Sequence, residues 1–236
     1  MQAIDILWII LTCLGAYLLG SLPFSVWIGR LVKGIDLREH NTSNPGAINA
    51  TKTFGFAVGL PVILLDVFKG FLAIFLIDQI FSLQHFVSIE GSNPLHTIMC
   101  IIGPALAVLG HTFSVWLRFD GGQGIGVLMG SLLYMNPLVY VLVGTTLLVV
   151  AGLFKKSGRI AGAVGIILSI PAALFVPISP PWGNIFLDWV VGMNGFVHLT
   201  QGFLVAAVAL AMFSSLLKNI FVKSGRGTTN WFRKYA

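Results

Sequence analysis

A chain of 236 residues that is 56% hydrophobic and only 9% charged, with mean hydropathy +0.92, cannot cover itself with a water-compatible surface. Soluble domains carry about 25% charged residues, so most of this chain must face lipid or lie between helices. The formal charge of +6 reads as a positive-inside signal and an attraction to anionic headgroups, not as a nucleic-acid surface.

The first apolar run, about 4–29, has no basic residue ahead of it and is followed by Arg30 and Lys33. It is too long for a signal-peptide core, so we expect it to stay in the membrane with its N-terminus outside. A polar segment comes next, from Gly34 to Lys52, containing Asn41-Thr42-Ser43-Asn44-Pro45-Gly46-Ala47. Its short polar side chains and glycine suit a backbone nest for a phosphate or carboxylate, with Lys52 adding charge. Composition alone fits a turn-rich connector equally well.

Helix two is expected at about 56–80. It holds Asp66 and Lys69 at i, i+3, on one helix face. Charges inside a membrane segment are costly unless paired or facing a polar cavity. An internal ion pair is the default, and a proton or ion path is the sharper alternative. Helix three, about 97–117, carries His111 and Ser114 near its end. They could form a general-base and nucleophile pair, against the blander role of a histidine that fixes neighbouring backbone.

Next comes Arg118-Phe119-Asp120-Gly121-Gly122-Gln123-Gly124, a glycine cluster leading into an apolar helix. Glycines let backbone N–H groups approach an anion, and the helix N-terminus adds a favourable dipole. Asp120 works against anion binding. The run 124–154 would extend about 47 Å as one helix, beyond a hydrocarbon core of about 30 Å. Asn136-Pro137 divides it, so two helices are expected, about 124–135 and 137–154. Two more are expected at about 159–178 and 199–222, with an aromatic interfacial segment at 177–198 holding Trp182, Phe186 and Trp189.

Seven helices with the N-terminus outside place every Lys and Arg except Lys69 on the inner side. These are Arg30, Lys33, Arg38, Lys52, Arg118, Lys155, Lys156, Arg159, Lys218, Lys223, Arg226, Arg233 and Lys234. Six helices would move the later clusters outside. The expected fold is therefore an all-α polytopic membrane protein of seven transmembrane helices in one domain, with the C-terminus cytoplasmic. Acids populate the outer segments: Asp5, Asp78, Glu90 and Asp188. Cys13 and Cys100 read as small core hydrophobes, and the five scattered His give no clustered metal ligands.

A series of motifs runs in order along the chain. They are Gly20-Ser21-Leu22-Pro23-Phe24, Gly34-Ile35-Asp36-Leu37-Arg38-Glu39-His40, Asn44-Pro45-Gly46-Ala47, Asn49, Asp66-Val67-Phe68-Lys69-Gly70, Leu109-Gly110-His111-Thr112-Phe113-Ser114-Val115 and Phe119-Asp120-Gly121-Gly122-Gln123-Gly124. Together they resemble the bacterial membrane glycerol-3-phosphate acyltransferases that take their acyl group from acyl-phosphate. The similarity is specific from about 15 to 130 and traceable to about 228.

The resemblance implies seven helices in the bacterial inner membrane with the active site on the cytoplasmic face. It implies transfer of an acyl chain to the 1-hydroxyl of glycerol 3-phosphate, giving lysophosphatidic acid and phosphate. No cofactor and no metal are implied, and no acid/base dyad; positioning and phosphate neutralisation would supply the acceleration. The implied substrate-binding residues are Thr42, Ser43, Asn44, Gly46, Asn49, Lys52 and Asn219. Gly121, Gly122, Gln123 and Gly124 form the implied phosphate loop, with His111, Ser114, Arg118, Asp66 and Lys69 in support. Partners are acyl-phosphate, glycerol 3-phosphate and membrane lipid, with no nucleic acid; a homodimer is an open alternative to a monomer.

The chain departs from the family pattern in places. The family's Lys-Gly-Gly-Lys-Gly loop has Asp120 and Gln123 here in place of both lysines. Lys52 replaces an arginine and Thr42 a serine. Gly162 and Leu216 stand where a serine and a histidine are usual, and Gly227-Thr228 is shifted by one residue, with Thr229 in place of a glutamate. A scaffold that has lost transfer but binds a lipid phosphate or assists a partner enzyme is the second reading. A small transporter or channel is the third.

Overall fold

The structure is a computed structural model that describes residues 3–81, 94–135, 137–150, 164–165 and 167–168. Apart from 164–165 and 167–168, which are helical, the helices expected after 154, the interfacial segment, the later basic clusters and Asn219 lie outside the described residues. Among the described residues every regular element is helical: α1 (Ala3–Ser21), α2 (Phe24–Lys33), α3 (Ala47–Phe54), α4 (Phe56–Phe81), α5 (Pro94–Thr112), α6 (Ile125–Met135) and α7 (Pro137–Leu148). Three continuous stretches, Ala3–Lys33, Phe56–Phe81 and Ile98–Leu117, are long and apolar enough to cross a membrane. Much of α1 presents large apolar side chains outward, Ile6, Leu7, Ile10, Leu11 and Leu14 among them. Lipid is the solvent that tolerates such a face.

The first apolar run is not one regular helix. Pro23 cannot donate an N–H and disfavours helical geometry at Leu22, so α1 stops at Ser21 and α2 begins at Phe24. Gly34, left-handed at φ 67°, ends α2 and donates its N–H to Arg30 O. The expected loop to Lys52 is also shorter than the sequence suggests, because Ala47–Phe54 coils into α3. The divided fourth run holds: α6 ends at Met135 and α7 starts at Pro137.

Close helix contacts rest on glycine. A Cβ on Gly130 would lie 1.8 Å from Val67 O, and one on Gly70 would lie 2.0 Å from Val127 O, so α4 and α6 meet backbone to backbone. Small residues serve this purpose in membranes, where apolar side chains gain little by leaving lipid. The register runs from Asp66 beside Gly126, through Gly70 beside Val127, to Phe71 packed on Tyr134 at 5.2 Å. Thus α4 and α6 run in the same direction. The α5–α6 connection therefore lies at the end of the bundle where α4 begins, beside α3 and the polar loop. α1 and α5 use the same device: a Cβ on Gly20 would lie 2.0 Å from Ala107 O, and one on Gly110 would lie 2.1 Å from Tyr17 O.

Gly130→Ala is expected to destabilise the protein by about 1–3 kcal/mol through overpacking. Gly15→Ala, where a Cβ meets nothing within 4 Å, should leave stability unchanged. Thermal unfolding in detergent, read by gel filtration of the surviving protein, compares the two.

Candidate active site

The break before Pro23 sets up the site's foundation. Lys69 is buried in α4 at 1% exposure. Its ammonium lies 2.9 Å from Asp66 Oδ1, donates to Leu22 O at 2.8 Å and meets His111 Nδ1 at 2.9 Å. An ammonium has three N–H donors, and this arrangement uses all of them. The Phe24 ring lies 5.6 Å from the same nitrogen. Because His111 Nδ1 accepts from an ammonium, the ring proton belongs on Nε2. The expected Asp66–Lys69 ion pair is thus present, and it joins α4 to the α1–α2 break and to the end of α5.

His111 and Ser114 do not form the nucleophile pair. α5 ends at Thr112, and Ser114, in extended geometry, begins a 3-10 turn at Val115–Leu117. The Ser114 hydroxyl donates to Ser21 O and the Ser21 hydroxyl to Gly110 O at 3.2 Å. Ser114 is a brace between α1 and α5.

The first polar loop folds around two residues. Asp36 caps a 3-10 turn, Leu37–Glu39, accepting from the Arg38 backbone N–H at 3.0 Å. It also takes Arg38 Nε at 3.1 Å, Arg38 Nη2 at 2.8 Å and Arg30 Nη2 at 2.8 Å. Burial pushes this carboxyl up, but the hydrogen bonds from Arg38 and Arg30 outweigh it and hold the carboxyl well below the usual range. The Asp36 hydrogen bond raises the Arg38 guanidinium against the opposing effect of burial, and the charges of Asp36, Asp120 and Glu39 add to it. Arg38 thereby relates the first loop electrostatically to the second.

Asn49 is the other organiser, with its amide engaged by the loop itself. It is buried in α3; its amide donates to Leu37 O at 3.0 Å and His40 O at 3.1 Å, and its oxygen accepts from Thr42 N at 3.4 Å. Asn49 therefore shapes the loop from behind. Asn41 and Ser43 take left-handed backbone, at φ 47° and 54°. Asn41 is tied to Thr53 Oγ1 at 2.8 Å, and Ser25 of α2 donates to Pro45 O at 2.8 Å. Thr42 is exposed on this loop, Ser43 and Asn44 are half-buried, and Lys52 is exposed on α3.

The glycine loop departs from expectation in its donors. Gly121 N–H bonds Thr112 O at 3.1 Å and Gly122 N–H bonds His111 O at 2.9 Å, so both are spent on the carbonyls that end α5. A Cβ on Gly122 would lie 2.2 Å from His111 Nε2, which explains glycine there. Gly124, at φ 77°, opens α6 and accepts Leu128 N at 2.9 Å. The donors suited to an anion are therefore the first N–H groups of α6, which a helix leaves without intrahelical partners. Gln123 is half-buried before them, and Arg118, left-handed at φ 54°, is exposed on the approach. Trp27 of α2 packs on Trp116 at 6.2 Å and Ser25 bonds Pro45 O, so α2 touches both the first loop and the turn that precedes the glycine loop.

The five histidines, scattered in sequence, are not all isolated in space. His96 Nε2 lies 2.7 Å from Asp78 Oδ1 and 3.6 Å from Cys100 Sγ. This group lies away from the loops: Cys100 sits in the buried core as expected, and Asp78 is buried in α4 rather than placed in an outer segment. The sequence signal was His96 and Cys100 at i, i+4.

Comparison with known proteins places the chain in a family. A family model described as glycerol-3-phosphate acyltransferase matches residues 10–223. The chain belongs to the glycerol-3-phosphate acyltransferase family. A relative of that name from Acholeplasma laidlawii is 36% identical over 135 residues, 57% of this chain and 56% of the relative. The chain thus spans about half the length of that relative. Another, from Chlorobium phaeobacteroides (strain BS1), is 31% identical over 210 residues, covering 83% of this chain and 86% of the relative. The crystal structure of PlsY (YgiH), an integral membrane glycerol 3-phosphate acyltransferase in its glycerol 3-phosphate form, aligns with TM-score 0.65 at 25% identity. That alignment covers 92% of this chain and 93% of PlsY. Family membership and the apolar helices make this protein a multi-pass membrane protein.

Lys69→Met is expected to cost about 3–5 kcal/mol, since it leaves Asp66 buried and unpaired. Asp66→Leu added to Lys69→Met should recover part of that loss in the same unfolding measurement. A second expectation concerns pH. The folded-state carboxyl of Asp36 is lowered, so its stabilisation is full above the ordinary carboxylate range near about 4. It is lost as pH falls below that. Between about pH 5 and 2, wild type should lose more thermal stability than Asp36→Asn.

Proposed function

We propose that this protein transfers an acyl chain from acyl-phosphate to the 1-hydroxyl of glycerol 3-phosphate, giving lysophosphatidic acid and inorganic phosphate. We place the reaction at the cytoplasmic face of a bacterial inner membrane, in a seven-helix bundle with its N-terminus outside. The observation that carries this reading is the convergence, in a chain of this family, of the Thr42–Asn44 loop and the start of α6 at one end of an apolar bundle. PlsY has been crystallised in a glycerol 3-phosphate form.

In this reading the first N–H groups of α6 hold the phosphate of the donor, with its acyl chain along the apolar helices. Thr42, Ser43 and Asn44 bind glycerol 3-phosphate, while Lys52 and Arg118 neutralise phosphate charge. Asn219 would join them from the later part of the chain. The hydroxyl oxygen attacks the acyl carbon, the bond from that carbon to the phosphate oxygen breaks, and phosphate leaves. The hydroxyl proton passes to a phosphate oxygen of the substrates. An activated donor held against the alcohol needs little more than alignment and charge stabilisation.

Asp120 supports a second reading, a scaffold that binds a lipid phosphate or assists a partner enzyme with little turnover of its own. Its carboxylate stands where the family has a lysine. A charge-assisted contact is worth roughly 1.5–3 kcal/mol, about 10–100-fold in rate or binding. The deciding assay follows labelled glycerol 3-phosphate into lysophosphatidic acid with purified protein and acyl-phosphate. We expect product from wild type, a rise of about tenfold or more in Asp120→Lys/Gln123→Lys, and a fall of similar size in Lys52→Ala. Product from the double variant alone would favour the second reading. Silence from both would sink the first.

A further inference from the structure

At the end of the bundle opposite the loops, three chemically different ligands converge: Asp78 from α4, and His96 and Cys100 one turn apart on α5. Asp78 is 12 residues beyond Asp66 along α4, about 18 Å of helix, so this group is separate from the Lys69 network. The three residues are 2%, 6% and 4% exposed, and their ligand atoms all lie within 4.8 Å of one another. We propose that Asp78 Oδ1, His96 Nε2 and Cys100 Sγ form a Zn2+ site that clamps α4 to α5.

Two of the three ligand separations lie near zinc geometry, and the third is within 4.8 Å. Zn–N bonds of about 2.0–2.1 Å and a Zn–S bond of about 2.3 Å, arranged tetrahedrally, place ligand atoms about 3.3–3.7 Å apart. His96 Nε2 and Cys100 Sγ are 3.6 Å apart. The 2.7 Å between Nε2 and Asp78 Oδ1 must open by less than about 1 Å to match. One ring nitrogen faces both the carboxylate and the sulfur, and a single proton on it can satisfy only one of them. A cation between the three atoms satisfies both.

The charge also suits the surroundings. A carboxylate, a thiolate and a neutral imidazole around Zn2+ sum to zero, the least costly state for a site walled by Phe81, Ile77 and Met99. Binding releases the Cys100 thiol proton, and the His96 proton resides on Nδ1 when Nε2 coordinates. The carboxylate is already oriented: the Tyr134 hydroxyl of α6 donates to Asp78 Oδ2 at 2.7 Å, and Gln79 Nε2 approaches the same oxygen at 3.4 Å. Such outer partners fix a ligand's orientation and tune metal affinity. The fourth position is left to water.

The test uses full-length protein in detergent, purified through a tag that binds no metal and incubated with Zn2+. We expect about one Zn2+ per chain after gel filtration, and a thiolate-to-cobalt charge-transfer band when Co2+ replaces it. Cys100→Ala, a small buried change that should stay monodisperse, is expected to lose the band and most of the zinc. Tyr134→Phe should keep the band and weaken retention about 10–100-fold. Folded wild type without retained zinc and without the band would overturn the proposal, as would zinc undiminished in Cys100→Ala. Neither readout depends on acyl transfer, so failure of the proposed reaction leaves this result separate.

Discussion

Everything at the loop end of this molecule depends on how one buried ammonium is satisfied. Lys69 cannot be left in an apolar bundle without partners, and those it finds come from three places in the chain: Asp66 on its own helix, His111 at the end of α5, and the carbonyl of Leu22. That carbonyl is available because Pro23 interrupts the first apolar run. The buried charge thus ties α4 to the proline break between α1 and α2 and to the end of α5. From those two points the polar loops depart.

Labour at this end is divided between polar groups that hold the loops and polar groups that face outward. Asn49, Asp36, Ser114, Gly121 and Gly122 spend their hydrogen bonds on the protein itself. Thr42, Lys52 and Arg118 are exposed at the same end of the bundle as the start of α6. A chemistry that relies on an already activated donor fits such an arrangement, because rigidity and charge placement are its main requirements. Asp120, which lies within electrostatic reach of Arg38, is one place where this chain's charge distribution differs from the family pattern.

The polar group at the opposite end obeys the same physics with a different outcome. Asp78, His96, Cys100 and Tyr134 come from three helices and gather into one buried cluster. Both polar groups are attached to α4, the helix that also meets α6 backbone to backbone through glycine. One helix thus carries two chemically distinct polar clusters about 18 Å apart.

Composition and periodicity by themselves determined the membrane environment, because so few charges cannot clothe a soluble surface. They also located the division at Asn136-Pro137, and helix spacing made Asp66 and Lys69 partners. The ordered motifs were enough to indicate the family that the comparisons show. These features are local, written in hydropathy, proline and i, i+3 spacing. Only the tertiary structure decided that Asn49 braces its loop, that Ser114 bonds Ser21, and that the Gly121 and Gly122 N–H groups are already used. It also brought Asp78 to His96. A hydrogen bond is chosen by whichever partner packing brings within about 3 Å, and residues far apart in sequence carry no local mark of that choice.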